Sequence, residues 1–466
     1  MFYFLYLEDF NINSKIIIFC LIICLLIPLG AVSASDVNST ADDQVLSATP
    51  SVDTLSASVN PEQDNDTLSV QENENLLSAG SNSGNDNLLG ADGDVGSYSD
   101  LNELIRLTDS GSTLPLLKNY EYKDSSESAG IVISKPITIE GNGFTINGNN
   151  LGPGFIVHAD NVTLKNINII NCVSPTYTVS YAGAVYWRGD NGKLINTNIT
   201  NCKITTGTYA TSGGISWWGK DGEITQVNVS QCSSPTGDRR GAMLSCAGID
   251  LKVSQSVFHD VGSLTASSFA GIAVLGSSAN VAFNNCNFTN IATDKYGQFF
   301  YEATSGLTFK GCIFNETQNK GIIFCRGSDV TYDDCEFYCN NHLFAYQALH
   351  YATFNHCTFD SFSQIHDAKS PVTDVICGMR DNLYNGCTFV NCRDVYKPYV
   401  GSVDSYVGCT FVNCTNAFMV GPTSGYMIVS GCIFDNTTSN NDAVIAVSGG
   451  QKILLKIMCL KIFQTQ

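Results

Sequence analysis

The sequence of 466 residues contains little charge, and most of the charge it has is negative. Only 14% of the residues are charged, and 24 Lys and Arg stand against 43 Asp and Glu, which gives a formal net charge of −19. A basic stripe is missing, and with it the electrostatic footprint of a nucleic-acid-binding protein. We therefore expect no nucleic acid partner.

Two further patterns are missing from residues 131 to 450. No stretch there places apolar residues at the three- and four-residue spacing of an amphipathic helix, and the Leu-rich consensus of a leucine-rich solenoid is not found. These absences exclude helical and leucine-rich repeats. What is abundant is Val, Ile, Thr, Phe and Tyr, with Asn and Gly at regular intervals, a composition that favours strands and tight bends.

A short pattern repeats eleven times between Val162 and Phe434: apolar, any, apolar, any, any, Cys or a substitute, any, apolar. We call its sixth place the cysteine position. It falls at Ile167, Thr197, Val227, Ser256, Cys286, Cys312, Cys335, Cys357, Cys387, Cys409 and Cys432. The intervals run from 22 to 30 residues, and a period in that range is typical of a solenoid.

Two apolar columns accompany the cysteine position. The residue three places before it is apolar or aromatic in every unit, and the residue two places after it is apolar in all eleven and Phe in the last eight. The second column comprises Ile169, Ile199, Val229, Phe258, Phe288, Phe314, Phe337, Phe359, Phe389, Phe411 and Phe434. Such unbroken columns predict a core that runs through all the units.

Within a unit, apolar residues alternate with period two, as in a strand with one buried face. The step between the two strands is three residues, usually over Gly or Asn, and a bend there keeps both strands facing inward. A second step of three leads from Phe389 to Cys392 and from Phe411 to Cys414. The sequence therefore predicts an all-β fold, a three-faced parallel β-helix of about 12 coils stacked about 4.8 Å apart. The crossover rule makes it right-handed.

Outside the repeats, the chain divides by composition. Residues 1–34 contain a 17-residue apolar run behind Lys15 and end in Val32-Ser33-Ala34, which predicts a cleaved signal peptide, with a retained transmembrane anchor as the alternative. Residues 35–97 hold 12 acidic residues and no Lys or Arg, and are predicted to be a disordered linker. We predict a secreted or cell-surface protein that meets a membrane only through an uncleaved N-terminal segment.

Residues 98–130 are predicted to cap the open end of the core. Asp100 followed by Glu103 indicates a short helix capped by Asp100, and a β-helix end needs such a cover because its strand edges are unpaired. The β-helix would span residues 131–450, and Ile139 and Phe144 of its opening coil are five apart, like the two apolar columns of the later units. The basic segment 451–466 is an atypical tail, read either as a C-terminal cap or as the product of a truncation or frameshift.

Several of these motifs resemble known surface proteins. The stretch Gly141-Asn-Gly-Phe-Thr-Ile-Asn-Gly-Asn149 is similar to the opening coil of methanogen adhesin-like proteins, whose fold is pectin-lyase-like. Gly183-Ala184-Val185 and Gly213-Gly214-Ile215 resemble the Gly-Gly-Ala-Ile element of polymorphic outer-membrane autotransporters. The second element of that family, Phe-x-x-Asn, differs in this sequence, where it is Phe-x-Asn. The resemblance covers roughly residues 97 to 450. It implies an archaeal, surface-displayed protein that functions in adhesion.

Nineteen cysteines invite a chemical explanation, but their positions favour a structural one. Seven occupy the cysteine position, and five more, Cys172, Cys202, Cys232, Cys392 and Cys414, lie five residues after it. Both places face inward, where Cys is a small apolar filler. Stacked Cβ atoms about 4.8 Å apart exceed the usual disulfide separation, so a full ladder of disulfides is not expected. Because Cys387 and Cys409 lie on a different face from Cys392 and Cys414, we predict no metal site, and no cofactor.

Two sets of residues remain as candidate sites. Trp187 and Trp217 are 30 residues apart in coils of 30 and should stack; with Trp218 they would form either core packing or an exposed platform for sugar rings. Sequons predict glycosylation in an exported protein. In the repeats and the segment before them these are Asn161, Asn198, Asn228, Asn287, Asn315, Asn413 and Asn436.

The outward column next to the cysteine position holds one acid, Glu336, among eleven residues, and so offers no row of catalytic carboxylates. From this absence, and from the surface display and adhesion that the resemblance implies, we predict a non-catalytic adhesin-like rod that contacts cells, glycans or the envelope through a carbohydrate or other surface ligand. The alternatives are a polysaccharide lyase or glycoside hydrolase of the same fold, and a structural wall component.

Overall fold

A computed structural model describes the chain from residue 95 to residue 461, with gaps. The described ranges are 95–124, 130–175, 181–206, 211–234, 241–262, 270–275, 278–292, 298–302, 306–317, 322–339, 343–362, 381–393, 403–415, 418–420, 426–437, 445–447, 453–456 and 459–461. The predicted signal peptide and nearly all of the predicted linker lie outside these residues. Within the described ranges, no helix is long and apolar enough to cross a membrane.

Parallel strands form three long sheets. Sheet A contains Gly96–Ser97, Tyr120–Glu121, Thr145–Asn147, Asn168–Ile170, Asn198–Thr200, Asn228–Ser230, Val257–His259, Asn287–Thr289, Ile313–Glu316, Glu336–Cys339, Thr358–Asp360, Thr388–Val390, Thr410–Val412, Ile433–Asp435 and Cys459–Lys461. Sheet B contains Thr113–Pro115, Thr138–Glu140, Thr163–Lys165, Lys193–Ile195, Glu223–Thr225, Lys252–Ser254, Ala282–Asn284, Thr308–Lys310, Thr331–Asp333, Thr353–Asn355, Leu383–Asn385, Val403–Val407, Tyr426–Ser430 and Ile453–Lys456.

Sheet C contains Ile131–Ile133, Phe155–Val157, Val185–Trp187, Ile215–Trp217, Gly241–Cys246, Ala270–Val274, Gln298–Glu302, Ile322–Ser328 and Leu343–His350. Two short pairs accompany the long sheets, Val173–Ser174 with Lys203–Ile204 and Phe418–Val420 with Ile445–Val447. The prediction of an all-β, three-faced parallel β-helix is confirmed. About 12 coils were predicted, whereas the nine strands of sheet C define about nine complete turns in the described part of the chain.

Strand register places like residues over like residues. Phe314 pairs with Phe337 and Phe337 with Phe359 in sheet A, and all three side chains are fully buried. Their rings stack at centroid distances of 4.7 and 4.8 Å with interplanar angles of 5°. The residues three places before the cysteine position form a second buried file in sheet B, such as Tyr332 over Phe309. The predicted interior columns are therefore confirmed.

The corners between sheets are made by left-handed residues. Asn166, Asn196, Asn285 and Gly311, each just before the cysteine position, have φ of 58°, 45°, 52° and 59°. Only Gly, Asn and Asp adopt this region readily, which explains why the predicted three-residue step passes over them. Asn side chains also bond from coil to coil at these corners, as when Asn196 Nδ2 donates to Asn166 Oδ1 at 2.7 Å.

A helix covers the first coil, but it begins earlier than predicted. It spans Tyr98–Leu107, with Ser97 as its N-cap: Ser97 Oγ accepts from the Asp100 amide, and Asp100 Oδ2 accepts from the Ser97 amide. Asp100 is therefore the third helical residue and not the cap. These hydrogen bonds to Ser97 lower the pKa of Asp100. Asn102 then accepts from the Val132 amide, so it covers the exposed edge of sheet C.

The predicted phase of the opening coil is wrong by two residues. Ile139 pairs with Leu164, as expected, but it is Ile146 that pairs with Ile169 and is fully buried, while Phe144 is only half-buried. The bend through Gly141, Asn142 and Gly143 carries two more residues than the later corners. At the other end, Ile453–Lys456 and Cys459–Lys461 pair with preceding strands of sheets B and A, so two strands lie within the predicted tail.

Candidate functional site

The predicted stack of Trp187 and Trp217 exists but lies inside the core. The two rings are 4.5 Å apart at 16°, and neither side chain is exposed. Space for them comes from Gly192 and Gly222: a Cβ at Gly192 would lie 2.2 Å from Trp187 Nε1, and one at Gly222 would lie 2.3 Å from Trp217 Cζ2. An exposed sugar platform made of these two residues is therefore wrong, and the core-packing alternative is what the structure contains.

Trp218 belongs to a different cluster, on the outer face of sheet C. Ile156 and Tyr186 are the middle residues of paired strands and face away from the core, and His158, Arg188 and Trp218 follow the ends of three successive strands. The Arg188 amide donates to Val157 O at 2.8 Å and the Trp218 amide donates to Trp187 O at 2.7 Å, which fixes these three residues one above another. We call His158, Tyr181, Tyr186, Arg188 and Trp218 the sheet C patch.

Aromatic contacts join the sheet C patch. Tyr181 packs against Tyr186 at a centroid distance of 5.1 Å and against Trp218 at 5.4 Å, and the His158 ring meets Tyr186 edge-on at 6.2 Å. Trp218 Nε1 donates to Ser216 Oγ at 2.9 Å, which orients the indole. Tyr186 is 6% exposed, whereas Tyr181 and Trp218 are half-buried and His158 and Arg188 are exposed. The patch thus has a rigid aromatic floor and two exposed polar groups.

Electrostatics in the patch favour a neutral imidazole. Burial and the nearby Arg188 guanidinium lower the pKa of His158 below its ordinary value of 6.5. Burial raises the pKa of Tyr186 to about 12, with the Arg188 charge acting in the opposite direction. At neutral pH the patch therefore presents a neutral imidazole that can accept a proton, beside a permanent cation that can pair with a carboxylate.

A second group of polar side chains lies on the outer face of sheet A. Tyr338 donates to Glu336 Oε2 at 2.6 Å, and this hydrogen bond, followed by burial, raises the pKa of Tyr338 to about 12. Asp360 lies beside Tyr338 on the next strand and accepts from Ser361 Oγ at 2.8 Å. Glu336 and Asp360 are thus two residues and one strand apart, which places their Cα atoms roughly 8 Å from each other.

The cysteines are unpaired and internal. All fourteen cysteines whose side chains the structure describes are free thiols and buried, including all seven at the cysteine position. The interpretation of these columns as core filler is confirmed. In the described part of the chain, no group of three or more His, Cys, Asp or Glu side chains is arranged to hold a metal ion.

The predicted glycosylation sites lie on corners and outer strand faces. Asn161, Asn198, Asn413 and Asn436 are exposed, whereas Asn228, Asn287 and Asn315 are half-buried. Asn198 Nδ2 donates to Asn168 Oδ1 at 2.9 Å, and Asn436 Nδ2 donates to Asn413 Oδ1 at 2.8 Å. A glycan on either nitrogen would disturb a coil-to-coil hydrogen bond, whereas Asn161 stands at an exposed corner. Modification of these residues remains a prediction.

The chain is similar to known β-helical proteins. Residues 213–394 match the family model described as a right-handed β-helix region. Among solved structures, a PL6 alginate lyase in complex with a trisaccharide aligns with a TM-score of 0.50 at 10% identity, covering 76% of this chain and 86% of the lyase. A PL6 family polysaccharide lyase from Pseudopedobacter saltans aligns with a TM-score of 0.46 at 10% identity, covering 79% and 92%. No curated protein sequence matches significantly.

At this identity the comparison establishes the fold: a right-handed parallel β-helix of the pectin-lyase-like type. It also contradicts the prediction of a non-catalytic adhesin-like rod, because the solved structure that aligns with a TM-score of 0.50 is that of an alginate lyase. The alternative drawn from the sequence is the better-supported one. The prediction failed because it rested on the resemblance to adhesin-like proteins and on a single outward column, that of Glu336, in sheet A.

Sequence reasoning missed most of the sheet C patch. Sheet C has no repeating pattern that marks its strands, since the variable part of each coil precedes them. Of the patch, only Trp218 was selected, because it adjoins the periodic Trp pair. A usable signal was present: Tyr186 and Arg188 flank Trp187, and alternation makes both face outward once Trp187 is placed inward.

Proposed function

We propose that this protein is an exported polysaccharide lyase that cleaves uronate-containing chains at the sheet C patch. The observation that carries the proposal is the neutral His158 imidazole beside the Arg188 guanidinium on one outer face, with the half-buried rings of Tyr181 and Trp218 next to them. Similarity in fold to polysaccharide lyases supports it. A carbohydrate ligand also fits the aromatic floor, because sugar rings present apolar faces to such side chains.

The chemistry requires a cation, a base and a proton donor. Arg188 would pair with the uronate carboxylate and make the adjacent carbon more acidic. His158 would take the proton from that carbon; the electron pair then forms a carbon–carbon double bond as the glycosidic carbon–oxygen bond breaks. The imidazolium returns its proton to the leaving oxygen. The products are one new chain end and one unsaturated uronate end, with no water consumed.

The test is an assay on alginate, pectate and a neutral glucan, with the ultraviolet absorbance of the unsaturated end as the readout. We expect His158→Gln and Arg188→Gln each to lower kcat/KM at least 100-fold, in the range of general acid–base catalysis. Lys193→Gln removes an exposed cation from neighbouring sheet B and should leave activity unchanged. Cleavage that survives His158→Gln would contradict the assigned base, and no cleavage of any uronate polymer would contradict the lyase.

The pH dependence gives an independent check. Because the pKa of His158 is lowered, the base is deprotonated over most of the neutral range, and kcat/KM should rise with pH and reach half its maximum below pH 6.5. Arg188→Gln should move that midpoint upward, since the guanidinium is one of the two causes of the lowered pKa. A midpoint that stays in place would argue against contact between the two groups.

A glycoside hydrolase is the second candidate, and the pair Glu336 and Asp360 favours it. Most glycoside hydrolases use two carboxylates that flank the scissile glycosidic bond as their catalytic residues. Such an enzyme would release reducing ends without ultraviolet absorbance, and Asp360→Asn would abolish the release while His158→Gln would not. The same substrates and the same two readouts therefore separate the candidates.

Export is part of the proposal, because the polymers named are extracellular. Its support is the apolar run behind Lys15 followed by Val32-Ser33-Ala34. N-terminal sequencing of protein from culture medium and envelope fractions should find a start just after Ala34. A start at or near Met1 in a membrane fraction would instead indicate a retained anchor.

A further inference from the structure

A groove follows the corner between sheets B and A in the first coils. It has a volume of about 410 Å³, and Glu140, Asn166, Asn168, Asn196 and Asn198 are among the residues that line it. We call these five residues the asparagine groove. Asn166 and Asn196 are left-handed corner residues, and Asn168 and Asn198 each begin the sheet A strand that follows. The groove therefore lies on a different side of the solenoid from the sheet C patch.

Two ladders of side-chain amides run along this groove. In the first, Asn196 Nδ2 donates to Asn166 Oδ1 at 2.7 Å, and Asn166 Nδ2 donates to Glu140 Oε1 at 2.7 Å. In the second, Asn198 Nδ2 donates to Asn168 Oδ1 at 2.9 Å, and Asn168 Nδ2 donates to a backbone oxygen of the preceding coil at 2.7 Å. These bonds hold the four amides in fixed orientations, so a ligand would lose little affinity to the ordering of side chains.

The ladders leave hydrogen-bonding groups open to solvent. An Asn side chain has two N–H donors and an oxygen with two lone pairs, and each amide uses only one N–H in its ladder. Asn228 is next to Asn198 in register but donates no hydrogen bond to it, and in the described part of the chain the buried Asn228 Oδ1 has no partner either. The exposed Asn198 side chain therefore keeps an N–H and its oxygen for a ligand. A sugar hydroxyl both donates and accepts, so it matches such a pair.

Charge in the groove disfavours uronates. Burial acts to raise the pKa of Glu140, but hydrogen bonds from Asn166 and Lys165 outweigh it and lower that pKa, so the carboxylate is ionised at neutral pH. Lys165 Nζ lies 3.0 Å from Glu140 Oε2 and is already paired. No Lys or Arg is among the described residues that line the groove. A uronate carboxylate would thus meet a like charge without a free cation, whereas a neutral sugar would not.

We propose that the asparagine groove binds neutral glycans through their hydroxyl groups. It is a second carbohydrate site, with fixed amides where the sheet C patch has aromatic rings and a cation. The inference does not depend on the proposed lyase reaction, because binding at the groove requires no bond to be broken.

The experiment is native electrophoresis of the full chain through gels that contain a soluble β-glucan, an α-glucan or a mannan. The chain is produced without N-glycosylation, because Asn198 lies in a sequon. We expect at least one polymer to slow the wild-type chain, and Asn198→Ala to raise the apparent Kd roughly 3- to 10-fold, the effect of losing one hydrogen bond between neutral groups. A free oligouronate should not release the chain. Retardation by none of the three polymers, or release by the oligouronate, would overturn the proposal.

Asn436→Ala is the matched control. Asn436 Nδ2 donates to Asn413 Oδ1 at 2.8 Å, an exposed ladder bond of the same kind in a late coil, outside the groove. We expect thermal stability to change about as much as in Asn198→Ala, but the Kd to stay at the wild-type value. The same Kd in both variants would mean that the ladders only support the fold, and would overturn the proposal. Asn196→Gly, at the corner, should weaken binding as Asn198→Ala does.

Trp218→Ala separates the groove from the sheet C patch. This variant removes an aromatic ring of the patch and should bind the neutral polymer with the wild-type Kd. Retardation that is lost in Trp218→Ala and kept in Asn198→Ala would place the neutral glycan on the sheet C patch and overturn the proposal.

Discussion

Two regions of the solenoid fill the same interior in different ways. In the early coils, residues 131–260, side chains of intermediate size such as Ile169 and Ile199 are packed beside Ile167 and Thr197. In the late coils, residues 270–437, stacked Phe rings are packed beside Cys. The backbone spacing is the same in both, so a larger side chain in one column requires a smaller one in its neighbour.

The Trp pair shows the same rule within the early coils. Trp187 and Trp217 are the largest buried side chains, and the inward position five residues after each is Gly. Phe beside Cys and Trp beside Gly are thus two ways to fill the same interior volume, each with one large and one small residue. The comparison shows that the aromatic and cysteine columns of the late coils fill the interior together, with a large side chain in one column and a small one in the other. Four sets of variants test this comparison.

The largest effect is expected from a charge in the late stack. Phe359 lies between Phe337 and Phe389 at centroid distances of 4.8 and 4.9 Å, so Phe359→Asp would bury an unpaired carboxylate and should cost several kcal/mol of folding free energy. We expect insoluble protein on expression. Thr358→Asp changes the neighbouring outward residue and should remain soluble; similar yields of the two variants would contradict the assigned inward face.

The late coils also contain a buried carboxylate. Asp404 is 0% exposed, and burial raises its pKa from 3.8 to about 7; it accepts from the Asn382 amide, and the Asp381 charge acts in the same direction as burial. A carboxyl group whose pKa is raised on folding binds its proton more tightly in the folded state. Stability should therefore fall by a few kcal/mol as pH rises from about 4 to 7 and level off above that.

Asp404→Asn tests this directly, since the amide has nearly the same shape and cannot ionise. Urea denaturation at pH 5 and pH 8 should show a stability loss in the wild-type chain and a much smaller one in the variant. The variant should also be the more stable of the two at pH 8. An unchanged slope with pH would show that another group causes the dependence.

In the early coils, Gly222→Ala should be costly because of the Trp pair. The added Cβ would lie 2.3 Å from Trp217 Cζ2, and the stacked Trp187 prevents that ring from moving away. We expect a loss of about 1–3 kcal/mol by denaturant titration. In a Trp217→Leu background the same change should cost much less, and equal costs in both backgrounds would refute the coupling.

The smallest effect is expected from exchanging corner residues between the regions. Gly408 has φ of 62° and no atom within 4 Å of where its Cβ would be, so Gly408→Asn should cost less than about 1 kcal/mol. Asn196→Gly should be similarly mild, because it loses only the exposed hydrogen bond to Asn166. A large loss of thermal stability in either would mean that corners are specific to their coils.

Sheets A and B could be predicted from the sequence because each coil repeats their pattern at fixed offsets. The columns through Phe314 and Tyr332 are visible in the sequence once the repeat units are aligned on the cysteine position. The inward residue of the opening coil was assigned wrongly because the corner through Gly141 is two residues longer than the later corners. Both candidate residues, Phe144 and Ile146, are apolar, so the sequence does not distinguish between them. Helix Tyr98–Leu107 was located, but its N-cap was wrongly assigned to Asp100. Both Ser97 and Asp100 have side chains that can cap a helix, and the sequence alone does not distinguish between them.

The candidate site was harder to predict for a related reason. Sheet C follows the variable part of each coil, so no fixed offset identifies its strands, and the sheet C patch joins residues from three coils. His158, Arg188 and Trp218 become neighbours only because consecutive coils lie about 4.8 Å apart. Glu336 and Asp360 are similarly 24 residues apart in sequence and one strand apart in space.

The sequence by itself determined the repeat, the inward columns and the left-handed corners, because each of these depends on residues within one unit and recurs in every unit. Tertiary structure decided which outer residues meet, and that Trp187 and Trp217 face the core while Trp218 does not. These outcomes depend on the register between coils, which is a property of the stack and of no single unit.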